Sequence, residues 1–276
     1  MFAFEISQLL ELAALLLVIG ALSGVIAGLL GVGGGIILVP AFYYMFAALG
    51  YDSDNLMQIC VATSLATIIF TSIRSVLGHH KKGAVHWDIL KRWAPGIASG
   101  AVVGVLISRD IRSVSLMVIF GILGTVVGLY LAFGRQAWRL GAQMPQGIGR
   151  AITSPMLGFL SVLMGIGGGS FGVPLMTLFG QPIHRAIATS AGFGVIIAVP
   201  SVLGFLMIGW EMSVKPPLTV GLVNFPAFAI VVSMTLLTAP LGVRLAHAMN
   251  PKPLKAAVAF FIMLMALNML RKAFFG

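Results

Sequence analysis

The sequence predicts an all-α polytopic membrane protein built from two inverted five-segment repeats, with broken or re-entrant helices at two glycine clusters. Of the 276 residues, 59% are hydrophobic and 9% are charged, and the mean hydropathy is +1.06. A soluble domain carries roughly 25% charged residues. Apolar runs recur along the chain, and the glycine clusters GVGGG at 31–35 and GIGGG at 165–169 interrupt them.

Ten apolar segments are long enough to cross or to enter a bilayer. A spanning helix needs ~20 apolar residues, and the three shortest segments lie beside the glycine clusters. The first segment follows no basic region and ends at no cleavage-site pattern, so it is interpreted as a retained span rather than a signal peptide. The segments are 9–30, 36–49, 58–78, 93–108, 113–133, 151–164, 170–180, 186–209, 220–246 and 254–275.

The distribution of Lys and Arg predicts the orientation of these segments. When the segments alternate sides, twelve cations fall on one side and five on the other. The positive-inside rule places the richer side in the cytoplasm and both termini in the periplasm of a bacterial inner membrane. The cytoplasmic set is Arg74, Lys81, Lys82, Lys91, Arg92, Arg135, Arg139, Arg150, Arg185, Arg244, Lys252 and Lys255; the other set is Arg109, Arg112, Lys215, Arg271 and Lys272.

The two halves of the chain share short sequence matches in the same order. GVGGGIILVP at 31–40 recurs as GIGGGSFGVP at 165–174, and ATS at 62–64 recurs at 188–190. We interpret this as a duplication, with a first repeat at 1–133, a cytoplasmic linker at 134–150 and a second repeat at 151–276. Because each half has five segments, an odd number, the repeats have opposite orientations. Inverted repeats with unwound helices at the midplane are typical of secondary transporters.

The glycine clusters are candidate anion sites. A helix restarting at Ile36 or Ser170 would present unpaired N–H groups and the positive end of its dipole. The alternative is that the glycines only allow close helix packing; their duplication at matched positions favours a site. The candidate substrate-binding residues here are Gly33, Gly34, Gly35, Gly167, Gly168, Gly169 and Ser170.

The ATS motifs add hydroxyl groups to this candidate site. Thr63 and Ser64, like Thr189 and Ser190, follow a broken helix, and their hydroxyls can bond sulfonate or carboxylate oxygens without a buried charge. The alternative is back-bonding to carbonyls of their own helix.

Two further candidates lie outside the repeated motifs. Arg74 shares a predicted helical face with Thr63, Thr67 and Thr71, which suggests a cytoplasmic funnel for anions; the alternative is that Arg74 extends to the interface. Asn224, near Pro226, is a candidate lining residue, and a helix-start role is its alternative.

The remaining composition excludes several classes of function. All seven acidic residues fall in loops or near segment ends, which argues against a cation substrate. The single cysteine, Cys60, excludes a multi-thiolate metal site, and the histidines are interpreted as interfacial. No catalytic set, P-loop or dinucleotide motif is present, so neither an enzyme nor a cofactor is expected. The net charge of +10 fits cytoplasmic loops rather than a nucleic-acid surface.

The twice-repeated G-x-GGG-x4-P with its ATS segments, followed by GLVNFPAF and APLGVRLAHAM, resembles the sulfite exporter TauE/SafE family of membrane permeases. The resemblance implies a small sulfur-containing anion, such as sulfite or sulfoacetate, and its export. It implies no obligate protein partner; the expected surroundings are membrane lipid. An anion channel with the same site, and an uptake permease coupled to an ion, are the alternatives.

Overall fold

The computed structural model describes residues 6–31, 33–134, 139–210, 214–248 and 252–275. Within these ranges the chain is almost entirely helical, with one two-stranded hairpin, which confirms the predicted all-α class. Residues 135–138 of the predicted linker, the acidic residues Glu5 and Glu211, and the two chain ends at 1–5 and 276 lie outside the described residues.

Each predicted segment corresponds to one helix of the described chain. The helices are α1 Ile6–Leu30, α2 Gly35–Ala48, α3 Leu56–His80, α4 Trp87–Ser108, α5 Ser113–Phe133, α6 Gly147–Leu163, α7 Gly169–Leu178, α8 Ile183–Met207, α9 Phe225–Ala248 and α10 Lys252–Phe275.

The start of the ninth segment differs from the prediction. The strands β1, Thr219–Val220, and β2, Val223–Asn224, form an antiparallel hairpin where the apolar run beginning at 220 suggested helix. Gly221 turns the chain with a φ of 57°, a conformation that glycine adopts without the steric cost of a Cβ. The helix α9 therefore begins only at Phe225.

The helix lengths fit a multi-pass integral membrane protein. Six helices of the described residues, α1, α3, α4, α5, α8 and α9, are long and apolar enough to cross a membrane. The helices beside the glycine clusters are shorter: α2 has 14 residues, α6 has 17 and α7 has 10. With a rise of ~1.5 Å per residue, α7 alone is about half the thickness of a bilayer core.

The helices of the two halves interlock. α1 packs along α9 and α6 packs along α4, while α3 contacts α8, and α5 contacts α10. Glycines make the closest approaches: Gly104 packs against the carbonyl oxygen of Phe159, and Gly242 packs against that of Val25. The first and last helices of each half, α1, α5, α6 and α10, thus pack against helices of the other half.

The glycine contacts also give the relative direction of paired helices. Along α5, Gly121 faces Leu270 whereas Gly128 faces Met263, so α5 and α10 run antiparallel. The pair α1–α9 runs parallel, because Gly20 faces Val231 and Gly28 faces Ala239. The buried helix α3 lies at the centre, where it contacts α2, α8 and α9.

Candidate anion site at the glycine clusters

The two glycine clusters, separated in the sequence, meet in the interior. A Cβ on Gly33 would lie 3.2 Å from the Cα of Gly167. A Cβ on Gly35 would overlap the carbonyl oxygen of Gly165. The starts of α2 and α7 therefore lie side by side, as the midplane site predicted from the sequence requires.

Both clusters also serve the close packing that the sequence left open as their alternative role. A Cβ on Gly34 would overlap the Oγ of Ser23, and one on Gly168 would overlap the Cβ of Phe193. Larger residues at these positions would displace neighbouring atoms. A substitution there therefore disturbs the helix packing whether or not the glycines bind a ligand.

The first turns of α2 and α7 have no side-chain cap. Neither helix has a side-chain hydrogen bond at its N-cap, which is Gly34 in α2 and Gly168 in α7. The first amides of any helix lack a carbonyl within that helix. Helix N-termini of this kind attract negative charge, and the attraction is stronger where the surroundings exclude water.

Buried hydroxyl groups without partners surround the second cluster. Among the described residues, the Oγ atoms of Ser170, Ser72 and Ser161 are buried and form no hydrogen bond. Ser170 lies in the first turn of α7, and Ser161 lies near the end of α6. A buried polar group without a partner is costly, so these hydroxyls favour a polar ligand.

Ser72 reaches the second cluster from α3. A Cβ on Gly194 of α8 would overlap the Oγ of Ser72 and would lie 3.6 Å from the amide nitrogen of Gly168. The hydroxyl and the amide thus approach the same small space. Ser170 was predicted from the sequence, whereas Ser72 and Ser161 were missed because no repeated motif marks them.

The two matched threonines connect the halves of the molecule. The Oγ1 of Thr63 accepts a hydrogen bond of 3.0 Å from the backbone N–H of Asn224. The Oγ1 of Thr189 accepts one of 2.9 Å from the backbone N–H of His86. Both threonines are fully buried. Because each hydroxyl accepts in these bonds, its own proton is left to donate elsewhere.

The matched serines bond differently. Ser64 donates to the carbonyl oxygen of Gly165 at 2.7 Å, so it fixes the turn of the second cluster. The Oγ of Ser190 contacts the Sδ of Met176 at 3.8 Å. Back-bonding, the alternative considered for the ATS hydroxyls, is seen instead at Thr67 and Thr71, which donate to carbonyls four residues earlier in α3.

Arg74 and Asn224 do not join this group of side chains. Arg74 is exposed, whereas Thr63, Thr67 and Thr71 are buried, so Arg74 does not lie with them. The side-chain oxygen of Asn224 accepts from the N–H of Ala227 at 3.0 Å, which is the helix-start role. Its side-chain nitrogen donates to the carbonyl oxygen of Pro217 and to the hydroxyl of Thr219 in β1, and its contact with Thr63 is made by the backbone N–H.

A histidine pair is a feature that sequence reasoning missed. The Nδ1 of His79 lies 3.1 Å from the Nε2 of His247, and the Nε2 of His79 lies 3.0 Å from the carbonyl oxygen of Gly28. His79 lies in the last turn of α3, as expected for a histidine near a segment end, but its side chain is buried. Since a carbonyl only accepts, the Nε2 of His79 carries a proton, and the pair joins α1, α3 and α9.

A bundle of helices long and apolar enough to cross a membrane, with two helix N-termini meeting in its interior, is the architecture typical of polytopic membrane transporters. The sulfite exporter TauE/SafE family model matches residues 16–269. The chain belongs to this family.

Two relatives that match nearly the whole chain are both named probable membrane transporter proteins. The chain is similar to a probable membrane transporter protein of Haemophilus influenzae, with 31% identity over 94% of this chain and 98% of the relative. It is also similar to a probable membrane transporter protein of Methanocaldococcus jannaschii, with 25% identity over 95% of this chain and 97% of the relative. No solved structure matches the chain. These matches support membrane transport as the activity.

Proposed function

We propose that the protein is a secondary transporter that exports a small sulfur-containing anion, sulfite or an organosulfonate such as sulfoacetate, by alternating access around the glycine clusters. The observation that carries the proposal is Ser170, a buried hydroxyl without a partner in the uncapped first turn of α7. The family description names sulfite export, and the chemistry of the site suits such a ligand.

The site can hold a negative charge without a fixed positive side chain. Sulfite and sulfonate oxygens accept hydrogen bonds, and the hydroxyls of Ser170 and Ser72 can donate them. The dipole of α7 adds a favourable term of ~0.3–1 kcal/mol at an exposed helix end, and up to ~2 kcal/mol where the site is partly buried. None of the seven acidic residues lies within the two glycine clusters or the two ATS motifs. An anion therefore fits this site better than a cation.

The proposed mechanism uses the correspondence between the halves. α1 packs on α9 as α6 packs on α4, and α3 packs on α9 as α8 packs on α4. The antiparallel packing of α5 and α10 supports opposite orientations of the two repeats. Rocking of one repeat against the other would expose the clusters to each side in turn.

The direction of transport follows from the membrane potential. We place the protein in the bacterial inner membrane, with both termini in the periplasm and with the Lys- and Arg-rich ends of the helices in the cytoplasm. At an inside-negative potential, moving one net negative charge outward gains ~2.3 kcal/mol per 100 mV. Export of an anion therefore needs no coupling ion.

The test measures counterflow of radiolabelled sulfite and sulfoacetate in proteoliposomes, with chloride and acetate as controls. The variants are Ser170→Ala and Ser72→Ala. Losing a hydrogen bond to a charged group costs ~1.5–3 kcal/mol, so each variant should lose about tenfold or more in kcat/KM. The matched control is Ser201→Ala, because Ser201 is equally buried but bonds a carbonyl of its own helix.

Three outcomes would overturn the proposal. The site is wrong if both serine variants transport like the unmodified protein. The substrate class is wrong if the unmodified protein moves neither sulfite nor sulfoacetate. Conductance without counterflow would assign the chain to the channel alternative.

A further inference from the structure

A recess of about 290 Å³ lies beside the start of α4, between that helix, the linker and the start of α6. Its volume is close to the lower end of the ~300–1,000 Å³ range of small-molecule sites. Six of the residues that line it have charged or amide side chains, and the others include Ile89, Trp93, Met144 and Pro145. The six are Arg92, Arg150, Asp88, Gln143, Gln146 and Gln181.

Two aromatic side chains connect this cationic recess to the glycine clusters. Trp93 lines the recess and is 2% exposed. Its ring stacks on that of Phe193, with 6.3 Å between centroids and 26° between planes. Phe193 in turn packs against Gly168. The recess is therefore connected to the second cluster by a chain of direct side-chain contacts.

A second recess, of about 200 Å³, lies at the corresponding place of the other half. It is formed by α1, α2 and the start of α9. The starts of α4 and α9 correspond because His86 and Asn224 make the same backbone contact, to Thr189 and Thr63. The second recess is lined mainly by aliphatic, aromatic and proline side chains.

The charged residues of the first recess have apolar counterparts in the second. Arg92 lies six residues after His86, and Ile230 lies six residues after Asn224. Arg150 lies fifteen residues before Gly165, and Leu16 lies fifteen residues before Gly31. Both Ile230 and Leu16 line the apolar recess. The same space is thus cationic at one end of the molecule and apolar at the other.

We propose that the cationic recess is a second anion site, which collects the substrate from the Lys- and Arg-rich side before it reaches the glycine clusters. This inference rests on the proposed function and adds a one-sided loading step to it. Guanidinium groups bind sulfite or sulfonate oxygens through paired N–H donors, and the three glutamine amides supply further donors. The apolar recess is lined by no arginine, and the amide of Asn224 in its lining already donates to Pro217 and Thr219, so the anion leaves from it more weakly held.

The competing explanation is that the two arginines only raise the surface potential at the membrane interface. A surface potential depends on how many charges lie at that end of the molecule and not on whether they line the recess. The test therefore compares two double variants that remove the same charge from the same end of the molecule. They are Arg92→Gln with Arg150→Gln, and, as the control, Lys81→Gln with Lys91→Gln, two exposed residues that do not line the recess.

Transport of sulfite and sulfoacetate is measured from each side, in inside-out and right-side-out vesicles at constant ionic strength. For the arginine variant we expect KM from the cytoplasmic side to rise about tenfold or more. We expect kcat to change less than twofold and KM from the opposite side to stay the same. The single variant Arg92→Gln, at an exposed position, should give a smaller shift in the same direction and serves if the double variant does not fold.

An equal rise of KM in the lysine control would overturn the loading site in favour of surface potential. So would an unchanged KM in the arginine variants, or an equal rise from both sides. If one of these results occurs while Ser170→Ala still lowers kcat/KM about tenfold or more, the loading site is wrong and the proposed function stands. If the unmodified protein transports neither anion, the proposed function itself fails.

Discussion

The first and second glycine clusters meet in the interior but differ in conformation and in polar surroundings. In the first cluster Gly31, Gly33 and Gly34 have positive φ, and the residue after it is Ile36, buried in the core. In the second cluster Gly165 has a positive φ of 64°, and the corresponding next residue is Ser170. The unpartnered hydroxyls of Ser170, Ser161 and Ser72 lie around the second cluster.

The starts of α4 and α9 also share a backbone contact but differ in their side chains. Both donate a backbone N–H to a buried threonine of the opposite half. Yet His86 makes no cap to its helix, whereas Asn224 does. The backbone contacts between the halves occur twice, whereas, among the described residues, only Ser170 has an unpartnered hydroxyl in the first turn of a helix at a glycine cluster. The repeated contacts stabilise the fold, and the proposed anion site depends on the unrepeated hydroxyl.

The largest expected effect concerns the glycines, where both halves should respond alike. Gly35→Ala would press a Cβ against the carbonyl oxygen of Gly165, and Gly168→Ala would press one against Phe193. Overpacking of a core costs ~1–3 kcal/mol, and we expect about 3 kcal/mol for each because the neighbours are backbone or packed core. Thermal unfolding in detergent measures the loss.

The control for this prediction is Gly149→Ala. Gly149 is exposed, and a Cβ there would meet only the Cβ of Pro145, at 3.4 Å. Alanine favours a helix by ~1 kcal/mol over glycine, so this variant should be as stable as the unmodified protein or more stable. If Gly35→Ala and Gly168→Ala behave like the control, the clusters are not packed as closely as the structure indicates.

The sequence predicted the helices and the meeting of the glycine clusters because these depend on repeated, local patterns. Apolar runs gave the helix positions, and the duplicated GGG and ATS motifs marked the residues that lie together at the centre. Helix α9 was predicted to begin too early because the apolar residues of the hairpin continue its hydropathy.

The polar groups at the site were harder to predict because they depend on contacts between distant residues. Ser72 belongs to the site only because α3 passes beside Gly168 and Gly194. Arg74 was placed with the threonines from helical periodicity, but α3 is surrounded by other helices near Thr63 and exposed near Arg74. The environment of a helix changes along its length, and periodicity carries no information about that change.

An intermediate effect is expected for the matched threonines, where the comparison predicts equality. Thr63→Val and Thr189→Val each leave one backbone N–H without an acceptor. Such a loss costs ~1–3 kcal/mol at a buried site, and the two costs should agree within ~0.5 kcal/mol if the contacts are equivalent. Unfolding of the purified protein in mixed micelles measures them.

Serine at either position serves as the matched control, because it keeps the hydroxyl and loses only a methyl group. Thr63→Ser and Thr189→Ser should therefore retain most of the stability that the valine variants lose. A large cost at one threonine and none at the other would contradict the correspondence between the halves.

The smallest expected effect is a difference in stability loss between variants at the starts of α9 and α4, Asn224 and His86. Asn224→Ala removes the cap from the N–H of Ala227, which costs ~1 kcal/mol. His86→Ala should change the free energy of unfolding by less than ~0.5 kcal/mol, because the His86 ring accepts only from the exposed side chain of Arg185. Asn224→Asp separates the two roles of the asparagine, since it keeps the capping oxygen but loses the donors to Pro217 and Thr219. Equal losses for Asn224→Ala and His86→Ala would mean that the backbone contact, and not the side chain, holds both helices in place.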